Sequence, residues 1–306
     1  MSQRRVLFGA SLGQWNGADI GNVPGVLEIA AEADRGGLDV FTVADHLYFG
    51  DKLDAYSVVG FLLGRTVSIS GAVTVSNLPT RPAPALARTI TSLSALSGGR
   101  VILGVGAGAI WDMIPQLGIP RLTPGAAVTA MEEAITLIKS LCGGGEPVTF
   151  DGSFYQVGAL APAPIAAPPI WTGSVFPKSL AVTGRHADGW VPSMGSDWLA
   201  ARYRESRPVI DEAAVSVGRD PAEIIDVFNF GGRITAAPLA QTRDDDGRWI
   251  GGSAAQWIEE MTSAALEHRA GGFIFRTTDD TPAPVAVARF AQEIVPAVRE
   301  AVTEAV

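Results

Sequence analysis

The chain has 306 residues, 47% hydrophobic and 18% charged, which supports one large domain or two ordinary ones and excludes wholesale disorder. The 32 acidic and 23 basic residues give a formal net charge of -9, so no basic face is expected for nucleic acid or anionic lipid. The lone Cys142 rules out an internal disulfide, and Gly, Pro and charges interrupt every apolar run before it could form a membrane helix.

The N-terminal stretch through Arg5 leads into an apolar run too short for a signal-peptide core, so a cytoplasmic protein is expected. Strand 5–10 opens the fold and helix 23–35 follows. Four times a helical pattern then ends in a small residue and glycine and passes directly into an apolar run: at Gly36-Gly37, Gly98-Gly99, Asp188-Gly189 and Gly271-Gly272. Glycine takes the left-handed conformation past a helix end without steric cost, and a continuous Val, Ile, Leu and Phe run suits a strand covered on both faces. Further strands are expected over 67–75, 170–173 and 224–233. Helices are expected over 55–63, 83–96, 123–141, 177–186, 198–217, 253–269 and 284–302. Eight strands alternating with eight helices predict a single (β/α)8 TIM barrel over residues 1–306, with active groups on the loops that leave the strand C-termini.

Two segments depart from that alternation. Phe150-Asp151-Gly152-Ser153, inside an insertion at about 143–168 after the fourth helix, has the turn chemistry of a hairpin. The segment at about 236–252, before the seventh helix, carries Arg243-Asp244-Asp245-Asp246-Gly247-Arg248 and lacks periodicity, which predicts a mobile loop with solvated charges over the barrel mouth. A doubly wound sheet is the competing fold, because Gly104-Val105-Gly106-Ala107-Gly108-Ala109 fits a dinucleotide fingerprint. That fingerprint requires a helix to start at once, yet Pro115 and Pro120 delay it to about Thr123, so the segment reads as a barrel loop.

His46 lies just past the second strand, beside Asp45, at the end where barrel enzymes keep reacting groups, and an imidazole exchanges protons near neutrality. Catalysis by His46 and Asp45 is one reading; a hydrogen-bonded loop histidine is the other. His186 and His268 close helices, where a cation favours the dipole, and read as structural. Three scattered histidines and one cysteine offer no paired metal ligands, so no metal is expected. Trp15, Tyr48, Trp111 and Trp171 fall near strand exits, where they either wall an apolar pocket or belong to the core.

Five segments together carry a family resemblance: Ala44-Asp45-His46, Leu96 to Gly106, Phe150-Asp151-Gly152, Pro169 to Gly173, and His186 to Trp190. In order and over most of the chain, they resemble the bacterial luciferase-like superfamily. The resemblance implies a TIM barrel with FMN or the deazaflavin coenzyme F420 across its mouth, and a homodimer. Gly71 to Asn77 followed by Thr80-Arg81-Pro82 is similar to the F420-dependent branch. That similarity implies a cis peptide at Thr74-Val75 and a bulge of Thr74, Val75 and Ser76 behind the deazaflavin ring. Independently of the resemblance, glycines at a strand exit let a flat ring lie close to the backbone, so Gly106, Ala107 and Gly108 are expected to contact the cofactor, with a plain tight turn as the alternative. A glutamate acid of some members aligns with Ala109, which argues against a sugar-phosphate substrate.

Both coenzymes carry phosphate, and Gly173-Ser174-Val175-Phe176-Pro177-Lys178 opens a helix with proline near its first position. Free backbone N–H groups, the Ser174 hydroxyl and Lys178 are expected to converge there on an anion, with Arg81 a weaker candidate; a plain helix cap with a solvated lysine is the alternative. Three functions follow. The first is hydride transfer between F420 and a small organic substrate bearing an activated C=C, C=O or C=N bond, with His46 protonating the product. The second is an FMN-dependent monooxygenase, and the third a flavin-binding protein without turnover.

Overall fold

The computed structural model describes residues 5–192 and 197–305. Eight parallel strands close into a barrel. They are β1 (Leu7–Ser11), β2 (Val40–Val43), β3 (Ser70–Asn77), β4 (Val101–Gly106), β5 (Ile170–Thr172), β6 (Gly189–Trp190), β7 (Ile225–Gly231) and β8 (Ala270–Arg276). Closure occurs where β8 pairs with β1, setting Phe8 opposite Phe273. Helices α1 (Val23–Arg35), α2 (Ala55–Leu63), α3 (Ala83–Ser97), α4 (Pro124–Ser140), α5 (Pro177–His186), α6 (Ala201–Ser216) and α7 (Ala254–Glu267) alternate with the strands. The chain is therefore a (β/α)8 TIM barrel rather than a doubly wound sheet.

The strands read as continuous apolar runs because both of their faces are buried. In β2, Val40 joins a small inner cluster with Ala72, Trp171, Val191, Val227 and Ile274. Its neighbour Phe41 packs in the larger outer core beneath the helices. This alternation fixes which side chains line the barrel and which face the helix ring.

The last predicted helix divides into α8 (Ala283–Arg289), a π turn (Phe290–Ile294) and α9 (Val295–Glu304). Pro296 has no N–H to donate to the preceding turn, so the helix is interrupted there. The four glycine joints also use glycine in two different ways. Gly37, Gly98 and Gly99 have positive φ, as expected. At the joint before β6, a Cβ on Gly189 would lie 2.4 Å from Trp171 Cδ1, so glycine is needed there for close packing instead.

The inserted hairpin forms from Val148–Asp151 and Gln156–Leu160. It is tied to α4 by Glu133, whose carboxylate accepts from the backbone N–H groups of Ser153 (2.8 Å), Phe154 (2.8 Å) and Tyr155 (3.2 Å). The 236–252 segment differs from the expectation of freely solvated charges. Arg243 is half-buried, bonded to Asp197 and Glu260, and lies 6.0 Å over the Trp198 ring. Buried Trp249, stacked on Phe230, anchors the segment, and a short bridge joins Arg243 to Trp249. Asp244, Asp245, Asp246 and Arg248 do stay exposed. No helix among the described residues is long and apolar enough to cross a membrane.

Candidate active site

The C-terminal ends of β1 to β5 position the candidate residues around one rim of the barrel. In β3 the pairing with β4 slips between Val73 and Ser76, so one extra residue bulges toward the mouth, and the Thr74-Val75 peptide is cis. The slip turns the Val75 side chain over three glycines. A Cβ on Gly104 would lie 2.1 Å from the Val73 carbonyl oxygen, and one on Gly106 2.8 Å from Val75 Cγ2. One on Gly173, just past β5, would lie 3.0 Å from the same methyl. Val75 and these glycines form a shallow apolar floor on which Thr74 and Val75 remain partly exposed. Ser76 faces away from it: the hydroxyl is buried and pairs with Tyr56 Oη at 2.5 Å.

The glycines of the β4 exit therefore make room mainly for protein. Gly106 accommodates Val75, and Gly108, with a φ of 128°, lies under Trp111, whose Cη2 would be 2.6 Å from an added Cβ. Ala107 packs against the outer core. Trp171 is fully buried inside the barrel, whereas Trp15 is 60% exposed at the rim.

His46 is half-buried and engaged through both ring nitrogens. Its Nε2 lies 3.2 Å from the Trp15 carbonyl oxygen and its Nδ1 2.7 Å from Tyr48 Oη. Tyr48 Oη in turn lies 3.3 Å from the Ala109 carbonyl oxygen, which also accepts from Asn77 Nδ2 at 3.4 Å. Asn77 Oδ1 is buried without a partner among the described residues. Burial lowers the His46 pKa from its ordinary value, against the opposing effects of the Trp15 carbonyl and the Asp45 charge. Burial also pushes the Tyr48 phenol up to about 12, with the Asn77 side chain pulling the other way.

Asp45 does not face the mouth as a free carboxylate. It is buried and accepts from Arg81 Nε (3.0 Å), Arg81 Nη2 (2.6 Å) and the Asn77 backbone N–H (3.2 Å). Arg81 also donates to Asp54 and lies 5.0 Å over the Tyr56 ring. This pairing holds the Arg81 guanidinium charged and uses up the cation that the sequence offered for an anion.

The loop after β5 retains part of the expected anion site. Ser174 is 5% exposed, and its hydroxyl has no hydrogen-bond partner among the described residues. Lys178 is exposed at the start of α5, and Arg202 lies nearby over the Phe176 ring. Two backbone donors expected to be free are not, because the Val175 and Phe176 N–H groups donate to Ser179 Oγ at 3.3 and 3.2 Å. Serine at the third helical position caps the turn itself, which removes those N–H groups from any ligand.

The sequence reading passed over Tyr48 as a partner of His46, together with Asn77, Asn229 and Arg276. Asn229 is exposed two residues beyond the inward-facing Val227, so it lines the barrel mouth. Arg276, two beyond Ile274, donates to Gln14 Oε1. A polar residue inside the apolar run Val227-Phe228-Asn229-Phe230 was the available signal. Among the described residues, no group of His, Cys, Asp and Glu is arranged to hold a metal ion.

The luciferase-like monooxygenase family profile matches residues 5–273. The chain belongs to this family. It is 33% identical over 204 residues to a 5,10-methylenetetrahydromethanopterin reductase of Methanolobus tindarius, covering 65% of this chain and 58% of that protein. It is 29% identical over 203 residues to an F420-dependent glucose-6-phosphate dehydrogenase of Microbacterium testaceum, covering 63% and 59%. The chain thus spans less than two thirds of the length of these relatives. Its backbone is similar to that of a coenzyme F420-dependent tetrahydromethanopterin reductase from Methanopyrus kandleri, with a TM-score of 0.77 at 17% identity over 95% of this chain and 99% of that one.

Proposed function

We propose that this family member is an oxidoreductase that transfers a hydride between coenzyme F420 and a small organic electrophile with an activated C=C, C=O or C=N bond. The observation that carries the reading is the β3 bulge, which lays Val75 over Gly104, Gly106 and Gly173 beside the His46 pair. It falls in the segment that resembles the F420-dependent branch, and relatives up to 33% identical bear F420-dependent or reductase names.

A flat coenzyme carrying a phosphate fits the residues present. Thr74 and Val75 offer an apolar floor for a ring, and the unpartnered Ser174 hydroxyl, with Lys178 at the start of α5, offers donors to a phosphate. Bound F420 would supply hydride chemistry at its deazaflavin ring. The chain itself orients the electrophile at the mouth and supplies the balancing proton from the His46 side. Asp45 and Arg81 position the loop that carries His46 and do not exchange protons with the substrate.

Equilibrium titration of the apoprotein with F420 and, separately, with FMN, followed by fluorescence, tests the reading. Tighter binding of F420 is expected. Preference for FMN overturns it in favour of oxygen-dependent chemistry, and binding of F420 without oxidation of its reduced form by any enone, ketone or imine leaves a carrier without turnover.

A further inference from the structure

Both nitrogens of His46 are already occupied by the protein. The Trp15 carbonyl can only accept, so Nε2 carries a hydrogen in either charge state, and Nδ1 at 2.7 Å is committed to Tyr48 Oη. The Tyr48 oxygen is then the outermost polar atom of the chain of contacts. Its second neighbour, the Ala109 carbonyl at 3.3 Å, is at the long end of hydrogen-bonding distance and belongs to an exposed residue of the β4 exit. A substrate oxygen or nitrogen can displace so weak an acceptor at small cost.

We propose that Tyr48 is the proton donor of the reaction and that His46 reloads it, an assignment that rests on the hydride-transfer reading above. With His46 protonated, Nδ1–H donates to Tyr48 Oη and leaves the phenol hydrogen pointing outward. On gain of a hydride at the substrate carbon, which bound F420 would supply, the electron pair of the substrate double bond would move to its oxygen, nitrogen or conjugated carbonyl oxygen. That atom takes the phenol proton, Tyr48 takes the Nδ1 proton, and His46 is left neutral with Nε2–H still on the Trp15 carbonyl. Water returns one proton to His46.

The surroundings suit both ends of this exchange. A phenol is acid enough to protonate an alkoxide-like product, but acting alone it would leave a phenolate that burial disfavours, and a proton moving onto it from Nδ1 avoids that charge. The Asn77 amide, directed at the same Ala109 carbonyl, is placed to stabilise charge that develops on the Tyr48 oxygen. The charged groups facing the pair are Asp45, balanced by Arg81, and Asp54 behind it. The rings of Trp15 and Phe49 cover the His46 edge at 5.9 and 5.8 Å.

Two measurements on Tyr48→Phe decide the matter. In the apoprotein, NMR titration of the His46 ring is expected to show a pKa below that of the wild type, since imidazolium loses the acceptor for Nδ1–H. An unchanged titration overturns the coupling. With F420 loaded, single-turnover oxidation of the reduced coenzyme by a panel of ketones, enones and imines is expected to slow by roughly 100-fold, the scale of a general acid, at unchanged coenzyme affinity. The rate should also lose the pH dependence that wild type shows. Turnover within threefold of wild type overturns Tyr48 alone. Failure of wild type to turn over any electrophile overturns the hydride-transfer reading and, with it, the donor role.

Discussion

Val75 and Gly106 are complementary across the β3–β4 pair: a Cβ on Gly106 would come within 2.8 Å of Val75 Cγ2. The neighbouring Gly104 is more constrained, because its Cβ would meet backbone, the Val73 carbonyl oxygen, at 2.1 Å. Gly106→Ala is expected to fold with a loss of about 1 kcal/mol, displacing Val75 and weakening F420 binding severalfold. Gly104→Ala should cost on the order of 3 kcal/mol or more, since backbone cannot rotate away. Denaturant unfolding and coenzyme titration of the two variants check this order; equal stability losses would contradict the asymmetry.

Substitution of Ser174 is expected to separate binding from folding. Its hydroxyl is buried without a partner, so Ser174→Ala removes an unsatisfied group and the apoprotein should be as stable as wild type or slightly more so. Loss of a hydrogen bond to a charged phosphate, about 1.5–3 kcal/mol, predicts F420 affinity reduced by roughly 10- to 150-fold. Lys178→Ala should reduce the salt sensitivity of binding while leaving the melting temperature unchanged, because the side chain is exposed. Paired thermal melts and titrations test both variants.

Asp45 should behave as an anchor rather than as an acid. Asp45→Asn leaves Arg81 with a neutral partner beneath the mouth, and removal of one member of a buried pair typically costs about 3–5 kcal/mol. Because Asp54 still pairs with Arg81, the lower end is expected. Once the variant is folded at low temperature, its hydride-transfer rate should keep the titration step of wild type, moved to lower pH because the Asp45 charge no longer raises the His46 pKa. Loss of that step would show Asp45 exchanging protons.

Glu133 carries the hairpin. Its carboxylate accepts three backbone N–H groups at the 153–155 turn, so Glu133→Ala is expected to destabilise the protein by about 1.5–3 kcal/mol and to expose the turn to proteolysis. Limited digestion should cleave first near residues 152–155, with the barrel fragments intact. Digestion that begins elsewhere would contradict this.

Rate and stability should move in opposite directions with pH. Burial holds the pKa values of His46 and His186 below their ordinary 6.5, so the unfolded chain binds more protons than the folded one. Their contribution to stability is complete above 6.5 and is lost as pH falls through that value toward the lower folded pKa values. Hydride transfer, which draws on protonated His46, should instead accelerate over the same fall. His46→Gln is expected to reduce the acid-side loss in melting temperature and to abolish the acceleration, as read from melts and single turnovers between pH 5 and pH 8.

The barrel was legible along the chain, because alternation of apolar runs with amphipathic helices and glycine joints is written locally. The same holds for the hairpin, whose turn residues are contiguous. The β3 segment and His46 could be placed at the mouth as well, since strand C-termini follow directly from the strand order. What those residues touch depends instead on contacts between distant segments. Asp45 stands beside His46 in sequence, yet its carboxylate is claimed by Arg81, 36 residues away. Ser76 turns outward to Tyr56, and Arg243 turns in toward Asp197 and Glu260. The Tyr48 hydroxyl also reaches the Ala109 carbonyl on another strand's exit, 61 residues on. Side-chain partners of this kind depend on how strands are staggered and which face each residue presents, and a one-residue bulge such as that at Thr74 and Val75 reassigns them all.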